Sequence, residues 1–259
     1  MIGIFDSGLG GLTAYRELHR LLPNEQFVYF GDTGRVPYGS RSHEILKKYA
    51  RQDIDFLRTK GVDVILAACG TVSSVVLDEI AAEYSVPLVG VVDASVAEAL
   101  AATKNGIIGV IGTGATISSG AFAKKIKAAR ADAQVVSTAC PLFVPLVENG
   151  YIQRDCTVTK LVAEDYLEEI KASGADTLIL GCTHFPIIAD IIGDLLPDVT
   201  LISSGAAAAR AIAKAYKGSS AAGSSEFFVS DSPVNFDEVA RVFLGGETVT
   251  AKKVDIEKY

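Results

Sequence analysis

The feature that most constrains the fold is an alternation of short apolar runs with longer segments of helical periodicity. A strand that is apolar on both faces, followed by a helix, is the repeating unit of parallel sheets. The runs therefore predict an α/β fold in which mainly parallel strands are flanked by helices. The predicted strands are Ile2–Phe5, Gln26–Phe30, Val62–Ala68, Leu88–Val91, Gly106–Ile111, Gln134–Thr138, Thr177–Leu180 and Val199–Ile202.

The chain also repeats itself. The phrases "GVDVILAACGT" at Gly61–Thr71 and "GADTLILGCTH" at Gly174–His184 each place a cysteine after an apolar run, and "GIFDSG" at Gly3–Gly8 resembles "GVIGTG" at Gly109–Gly114. Because ligands of parallel sheets bind beyond the carboxyl ends of the strands, two similar domains with an active site at their interface are expected. The predicted domains are a discontinuous first one, 1–93 plus 207–259, and a second one, 94–206.

Composition and charge narrow the class of ligand. The 259 residues are 49% hydrophobic and 21% charged, which is typical of a globular protein. A net charge of −7 argues against a nucleic-acid surface, which needs a clustered basic patch. No apolar run approaches the roughly 20 residues that span a bilayer, and the N-terminus lacks the basic region of a secretory signal. We therefore expect a cytoplasmic protein, without nucleic-acid or membrane partners, that binds a small molecule.

The sequence predicts neither a nucleotide cofactor nor a metal site. In the glycine-rich stretches "GLGGLT" and "GTGATI", Thr13 and Ile117 occupy the third glycine position of the dinucleotide fingerprint. These glycines are expected to form tight strand-to-helix turns, whose amides and hydroxyls suit a carboxylate. The chain has four cysteines and three histidines but no CxxC pair, so a structural zinc site is not expected.

Two of the cysteines are candidates for catalysis. Cys69 and Cys182 follow predicted buried strands at equivalent points of the repeat. A lone cysteine in such a place is most often an unreactive residue of the core, and this is the expectation for Cys140 and Cys156. Inversion of a carbon stereocentre, however, needs one group that removes a proton and another that donates a proton to the opposite face. A thiol, with an ordinary pKa of about 8.5, suits either role.

Three further side chains are candidates to assist the thiols. His184 follows Cys182 by two residues, and Asp6 ends the first predicted strand, where it would serve Cys69. The plainer alternatives are a helix or turn cap for Asp6 and a polar loop residue for His184. Glu148, in "CPLFVPLVENG", would orient the imidazole if the two lie close together, and is otherwise a solvated acid.

The segment "YFGDTGRVPYGSRS" is a turn-rich loop ahead of a clear helix. Long loops on an α/β scaffold often carry binding groups. Tyr38, with the amides of Gly39 and Ser40, is therefore a candidate cover for a substrate carboxylate. A simple connecting loop is the alternative.

Several motifs together resemble the cofactor-independent aspartate/glutamate racemase family, in particular the glutamate racemases that supply D-glutamate for bacterial peptidoglycan. They occur in the family's order from residue 2 to about residue 205. The resemblance implies two α/β domains with an amino-acid substrate at their interface, no cofactor, and a homodimer. The motifs are "GIFDSGLGGLT", "YFGDTGRVPYGSRS", "AACGT", "GVIGTGATISSGAF", "ACPLFVPLVENG" and "LILGCTHFP".

The resemblance also implies roles for individual residues. Cys69 resembles the base that deprotonates D-glutamate, and Cys182 resembles the base for L-glutamate. Asp6 and His184 are similar to the groups that assist them, and Glu148 to the acid beside the histidine. The implied substrate-binding positions are Asp6, Ser7, Tyr38, Gly39, Gly70, Thr71, Thr183 and His184, with Thr113 and Thr116 in supporting positions.

One of these positions departs from the family pattern. The family phrase is Cys-Asn-Thr, whereas this chain has Gly70 between Cys69 and Thr71. Losing a side-chain hydrogen bond costs about 1–3 kcal/mol where a buried partner is left unpaired, although a water can fill part of the gap. The departure leaves three alternatives: a glutamate racemase with a compensated site, a racemase of the same fold for another amino acid such as aspartate, and an amino-acid-binding paralogue with impaired catalysis.

Overall fold

The computed structural model describes residues 1–218, 222–231 and 236–259, and its strands form two parallel sheets. The strands are β1 (Ile2–Asp6), β2 (Gln26–Gly31), β3 (Val64–Ala67), β4 (Leu88–Gly90), β5 (Ile107–Gly112), β6 (Gln134–Ala139), β7 (Thr177–Leu180), β8 (Thr200–Ser203), β9 (Ser224–Val229) and β10 (Ala251–Lys253). Within the described residues, the first sheet has the order β10–β9–β2–β1–β3–β4 and the second has the order β6–β5–β7–β8. The order β2–β1–β3–β4 thus recurs as β6–β5–β7–β8, and the predicted α/β fold with two similar parallel sheets is confirmed.

Helices connect the strands and cover the sheets. They are α1 (Leu12–Leu21), α2 (His43–Arg58), α3 (Gly70–Val75), α4 (Leu77–Ile80), α5 (Val91–Ala102), α6 (Gly114–Ser119), α7 (Ala121–Ala129), α8 (Phe143–Glu148), α9 (Thr157–Ala172), α10 (Ala189–Leu195), α11 (Ser204–Ala215) and α12 (Phe236–Phe243). Helix α11 follows the last strand of the second sheet but packs against α1 and α5, so it ties the two halves together. In the described parts of the chain, none of the helices combines the length and apolar composition needed to cross a membrane.

The eight predicted strands all form, with ends that differ from the prediction by at most two residues. Their apolar runs are nearly continuous because the central strands are buried on both faces. All five residues of β1 are buried, and this strand pairs in parallel with β2 on one side and β3 on the other. The carboxyl ends of these strands therefore lie together at one edge of the sheet.

The C-terminal part of the chain returns to the first sheet. Strand β9 pairs with β2, and β10 pairs with β9. Strand β10 was not predicted from the sequence. Within the predicted first domain, residues 219–221 and 232–235 lie outside the described residues. The exact domain boundaries stay a prediction.

Candidate active site

The carboxyl ends of the two sheets meet at one cavity between the halves. Cys69 lies two residues after β3, and Cys182 lies two residues after β7, which holds the equivalent place in the second sheet. Both cysteines are buried, with 4% and 7% of their surfaces exposed. Both line a single cavity of about 380 Å³. Small-molecule sites commonly occupy about 300–1,000 Å³, so the cavity suits a small substrate.

Cys69 lies in a buried environment beside an acid. Its Sγ donates a hydrogen bond to Ser7 Oγ at 3.6 Å. Burial raises the pKa of Cys69 to about 12, and the charge of Asp6 adds to the rise. At neutral pH, Cys69 is therefore a protonated thiol, able to donate a proton into the cavity.

Asp6 is the last residue of β1 and is fully buried. Its Oδ2 accepts a hydrogen bond from the amide of Gly8 at 3.1 Å, whereas its Oδ1 has no hydrogen-bond partner among the described residues. Burial raises the pKa of Asp6, and the charge of His184 opposes that rise. The charge of Asp6 acts in turn on Cys69, whose pKa it raises.

Cys182 lies in a different electrostatic environment, beside a buried histidine. His184 Nδ1 lies 3.9 Å from Cys182 Sγ, and His184 Nε2 donates to Glu148 Oε1 at 2.9 Å. Burial lowers the pKa of His184, but the hydrogen bonds to Cys182 and Glu148 outweigh it and raise that pKa to about 10. The imidazole is therefore charged at neutral pH, and the Glu148 carboxylate fixes its orientation.

Three threonine hydroxyls form a chain that crosses between the halves. Thr71 Oγ1, at the start of α3, lies 3.0 Å from Thr113 Oγ1, which lies 3.0 Å from Thr116 Oγ1. Thr113 is also the N-cap of α6, where its side chain accepts from the Thr116 amide. The capping bond holds the Thr113 hydroxyl at the cavity wall.

The halves also come into direct contact at two glycines. A Cβ atom at Gly10 would lie 2.2 Å from Thr183 Oγ1, and one at Gly70 would lie 2.1 Å from the carbonyl oxygen of Gly181. Neither position has room for a side chain. Gly70 therefore lets the residue after Cys69 pack against the residue before Cys182. This contact gives a physical reason for glycine at the position where the resembling family has asparagine.

No group of three or more histidine, cysteine, aspartate or glutamate side chains in the described ranges is arranged to hold a metal ion.

Sequence comparison places the chain among known racemases. A sequence profile described as Asp/Glu/Hydantoin racemase matches residues 2–212. The glutamate racemase of Geobacter metallireducens is 41% identical over 263 residues, which cover 99% of this chain and 97% of that protein. The glutamate racemase of Aquifex aeolicus is 44% identical over 246 residues, which cover 95% of this chain and 94% of that protein. The chain belongs to the Asp/Glu/Hydantoin racemase family.

A solved structure supports the assignment of this chain to the racemase family. The crystal structure of glutamate racemase from Francisella tularensis in complex with D-glutamate has a TM-score of 0.91 and 35% sequence identity. The match covers 100% of this chain and 98% of that chain. The two-sheet fold of the present racemase is therefore that of a glutamate racemase.

Most of the predicted site residues of the racemase lie at the wall of the cavity. Those that line it are Ser7, Gly39, Cys69, Gly70, Thr71, Thr113, Glu148, Cys182, Thr183 and His184. Asp6, Tyr38 and Thr116 do not line it; each is buried, with at most 1% of its surface exposed. What each of these residues does toward a substrate stays a prediction.

Tyr38 points away from the cavity. Its hydroxyl hydrogen-bonds to Asp32 and lies 3.0 Å from Asp53 Oδ2. Its neighbours Gly39 and Ser40 line the cavity. In this conformation, the Tyr38 hydroxyl is not placed to cover a substrate carboxylate, whereas the backbone on either side of Tyr38 reaches the cavity wall.

The structure adds residues to the site that the sequence did not indicate. Cys140 was expected to be an unreactive core residue. It is buried, but it also lines the cavity, together with Val144 of α8. Burial raises the pKa of Cys140, so this thiol stays protonated. From the far end of the chain, Phe243 of α12 packs edge-on against the imidazole of His184, with ring centroids 5.1 Å apart. No local sequence signal connects Phe243 to a histidine almost sixty residues earlier.

Proposed function

We propose that this racemase interconverts L- and D-glutamate through a pair of cysteine thiols. The observation that carries the proposal is that Cys69 and Cys182, at equivalent strand ends of the two halves, line the same cavity. Inversion at an α-carbon without a cofactor needs a proton acceptor on one face and a proton donor on the other. Two thiols contributed by opposite halves meet that requirement.

In the L-to-D direction, the Cys182 thiolate removes the α-proton. The electron pair of the broken C–H bond stays on the α-carbon and is delocalised into the α-carboxylate. The Cys69 thiol then donates its proton to the opposite face, which leaves D-glutamate, a Cys182 thiol and a Cys69 thiolate. The D-to-L direction is the reverse and starts from the opposite protonation state, a Cys69 thiolate and a Cys182 thiol, and proton exchange with solvent connects the two states.

The surroundings of the two thiols support this division of roles. Cys69, with a pKa of about 12, holds its proton at neutral pH. His184, with a pKa of about 10, is charged and points a donor at the Cys182 sulfur. A neighbouring positive charge favours a negatively charged sulfur. The site thus places a thiol that keeps its proton and a sulfur that lies beside a cation at the wall of the same cavity.

Hydroxyl and amide groups at the cavity wall suit an amino acid. Ser7, Thr71 and Thr183 offer hydroxyls, and the loop at Gly39 and Ser40 offers backbone amides. Such groups can hold carboxylates and an ammonium group by hydrogen bonds. Glutamate is the proposed substrate because the full-length relatives described above are glutamate racemases, one of them in complex with D-glutamate.

Gly70 favours a second candidate substrate. Since glycine replaces an asparagine that would reach toward the substrate, a racemase for another amino acid, such as aspartate, is the alternative. A protein that binds amino acids without inverting them is the candidate from another functional class. Both thiols and the charged His184 are present in this chain, and their presence favours a racemase over a protein that only binds amino acids.

Circular dichroism of the amino acid tests the function directly. We expect the purified protein to abolish the optical signal of either L- or D-glutamate, because both enantiomers reach the same racemic mixture. L- and D-aspartate are assayed in parallel. Inversion of aspartate but not of glutamate would mean that aspartate, and not glutamate, is the substrate. Tight binding of glutamate without inversion would contradict racemase activity.

The biological setting follows from the resemblance. We propose that the enzyme acts in the cytoplasm, supplies D-glutamate for peptidoglycan and forms a homodimer. Analytical ultracentrifugation tests the last point, since a dimer has twice the 27.2 kDa mass of the chain. A species of monomer mass at working concentrations would contradict it.

A further inference from the structure

Two buried acids share one tyrosine hydroxyl on the side of the loop that faces away from the cavity. Asp32 directly follows β2, and Asp53 lies in the middle of α2; both are fully buried. The Tyr38 hydroxyl hydrogen-bonds to Asp32 Oδ2 and lies 3.0 Å from Asp53 Oδ2. None of the three side chains lines the cavity, so the mechanism above makes no direct use of them.

The hydrogen count requires a second proton in this cluster. A phenol has one hydrogen and can donate to only one acceptor. If both carboxyl groups were ionised, one of them would face the Tyr38 oxygen without a hydrogen between them, in a site closed to water. Such a buried, unpaired contact is strongly unfavourable. Both contacts of the Tyr38 oxygen are satisfied if one carboxyl group is protonated and donates to it, and Asp32 Oδ1 is then the one oxygen of the two acids that has no hydrogen-bond partner among the described residues.

The charges around the cluster also favour one protonated carboxyl group. Arg35 is the cation that contacts both acids: its Nε donates to Asp32 Oδ2 at 2.6 Å, and its Nη2 donates to Asp53 Oδ1 at 3.2 Å. The same guanidinium also contacts Glu257, at 3.1 Å, and Gln52, at 2.5 Å. One guanidinium therefore faces three carboxyl groups, two of them fully buried.

The proton belongs on Asp53. Asp32 Oδ2 receives both the Tyr38 hydroxyl and the shorter contact from Arg35, as expected of an ionised acceptor. Burial raises the pKa of Asp53 well above its ordinary value, the charge of Asp32 adds to the rise, and Arg35 and the Tyr38 hydroxyl only partly oppose it. Asp53 is then the donor to Tyr38, and Tyr38 is the donor to Asp32.

The cluster is connected to the cavity through the backbone of the loop. Pro37 and Gly39, on either side of Tyr38, both line the cavity. Gly39 packs against the second half, since a Cβ atom there would lie 3.0 Å from Thr113 Cβ. Fixing the Tyr38 side chain therefore fixes the position of the loop amides relative to the hydroxyl chain that begins at Thr71.

We propose that Asp53 is a positioning residue that acts in its protonated form: it donates to the Tyr38 hydroxyl, which donates to ionised Asp32, and this relay holds residues 36–40 against the substrate cavity. The kinetic part of this inference rests on the proposed function. Its structural part concerns only the protonation of Asp53 and the anchoring of Tyr38.

Matched substitutions at the two acids test the proposal. Asp53→Asn offers an amide N–H to Tyr38 and an amide oxygen to Arg35, as the protonated acid does, so kcat and KM for glutamate should stay within about twofold of the wild type. Asp32→Asn removes the charge that pairs with Arg35, and Tyr38→Phe removes the relay itself. Both should raise KM by about tenfold, with a smaller change in kcat, because the loss of about one hydrogen bond loosens the loop.

Infrared spectroscopy gives a readout that does not depend on activity. At neutral pH, the wild type should show the C=O absorption of a protonated carboxyl group that Asp53→Asn removes and that Glu169→Gln, a control at an exposed position of α9, does not. The proposal is overturned if that absorption is absent, if Asp53→Asn fails to fold or is as impaired as Asp32→Asn, or if Tyr38→Phe keeps wild-type kinetics. If the wild type does not racemise glutamate, the proposed function fails, whereas the infrared comparison still tests Asp53.

Discussion

Cys69 and Cys182 carry the same side chain in different surroundings. The sequence was sufficient to find both, because each follows a buried strand of the repeat, and it indicated His184 as the partner of Cys182 from its position two residues later. The difference between the two thiols could not be predicted. It depends on the burial of Cys69 beside Asp6 and on Glu148, which reaches His184 from α8. The direction of the Tyr38 side chain was likewise not predictable, because its partner Asp53 lies on another element.

The Glu148–His184 pair predicts an alkaline limit of activity. The hydrogen bonds of His184 raise its pKa from 6.5 to about 10, so the contribution of its charge to folding is complete below about pH 6.5 and is lost as the pH rises through about 10. Activity should fall over the upper end of that range. Glu148→Gln should lower the pKa of His184 and therefore shift the alkaline loss of activity to lower pH. The shift should be modest, because the Glu148 side chain is 40% exposed and screened by solvent.

A pH profile of the racemisation rate measures this shift. Glu169→Gln, at an exposed position of α9, is the control and should leave the profile unchanged. An identical alkaline limb in the wild type and in Glu148→Gln would mean that the ion pair does not set the charge of His184.

At the scale of elements, the strands were predictable and several of their connections were not. Continuous apolar runs identify strands that are buried on both faces, which is why the predicted strands all form. The three-residue β10 has the sequence "AKK" and was missed, because an edge strand needs no apolar run. The contact of Gly70 with Gly181 joins two loops from different halves, and only the folded structure reveals it.

That contact predicts that a side chain at position 70 is harmful. Gly70→Ala and Gly70→Asn must move the Gly181 carbonyl, and Cys182 with it. Since a displacement of about 1 Å can cost up to about 100-fold in rate, kcat/KM for glutamate should fall by about 10- to 100-fold. This expectation is opposite to a simple gain of affinity on restoring the family's asparagine.

Gly193→Ala is the matched control for position 70. Gly193 lies in α10, where an added Cβ atom has its nearest neighbour at 4.0 Å, so activity should be unchanged. A wild-type or improved kcat/KM in Gly70→Asn would show that the halves adjust and that the close contact is not required.

At the scale of the whole molecule, the site is assembled from distant parts of the chain. The repeat predicted two similar halves and a cavity between them. It did not predict that α12, close to the C-terminus, brings Phe243 against His184. The tail lies outside the repeated part, so its place in the structure depends on the pairing of β9 with β2.

Phe243→Ala should therefore affect both stability and the site. The side chain is fully buried, and its removal should lower the free energy of unfolding by about 3–5 kcal/mol. It should also open the surroundings of His184 and change the alkaline limb of the pH profile. Phe56→Ala, at an equally buried site in the first half, should lose similar stability in urea unfolding but keep the wild-type profile. Equal pH profiles for the two variants would contradict a role of α12 at the site.

The most direct measurement is exchange of the α-proton of each glutamate enantiomer in deuterium oxide, followed by proton NMR in single-cysteine variants. Neither Cys69→Ala nor Cys182→Ala should racemise glutamate. Cys69→Ala should exchange the α-proton of L-glutamate only, and Cys182→Ala that of D-glutamate only. Cys156→Ala removes a thiol outside the cavity and should behave as the wild type. Inversion at a near wild-type rate by either of the first two variants would contradict a mechanism in which one thiol serves each face of the α-carbon.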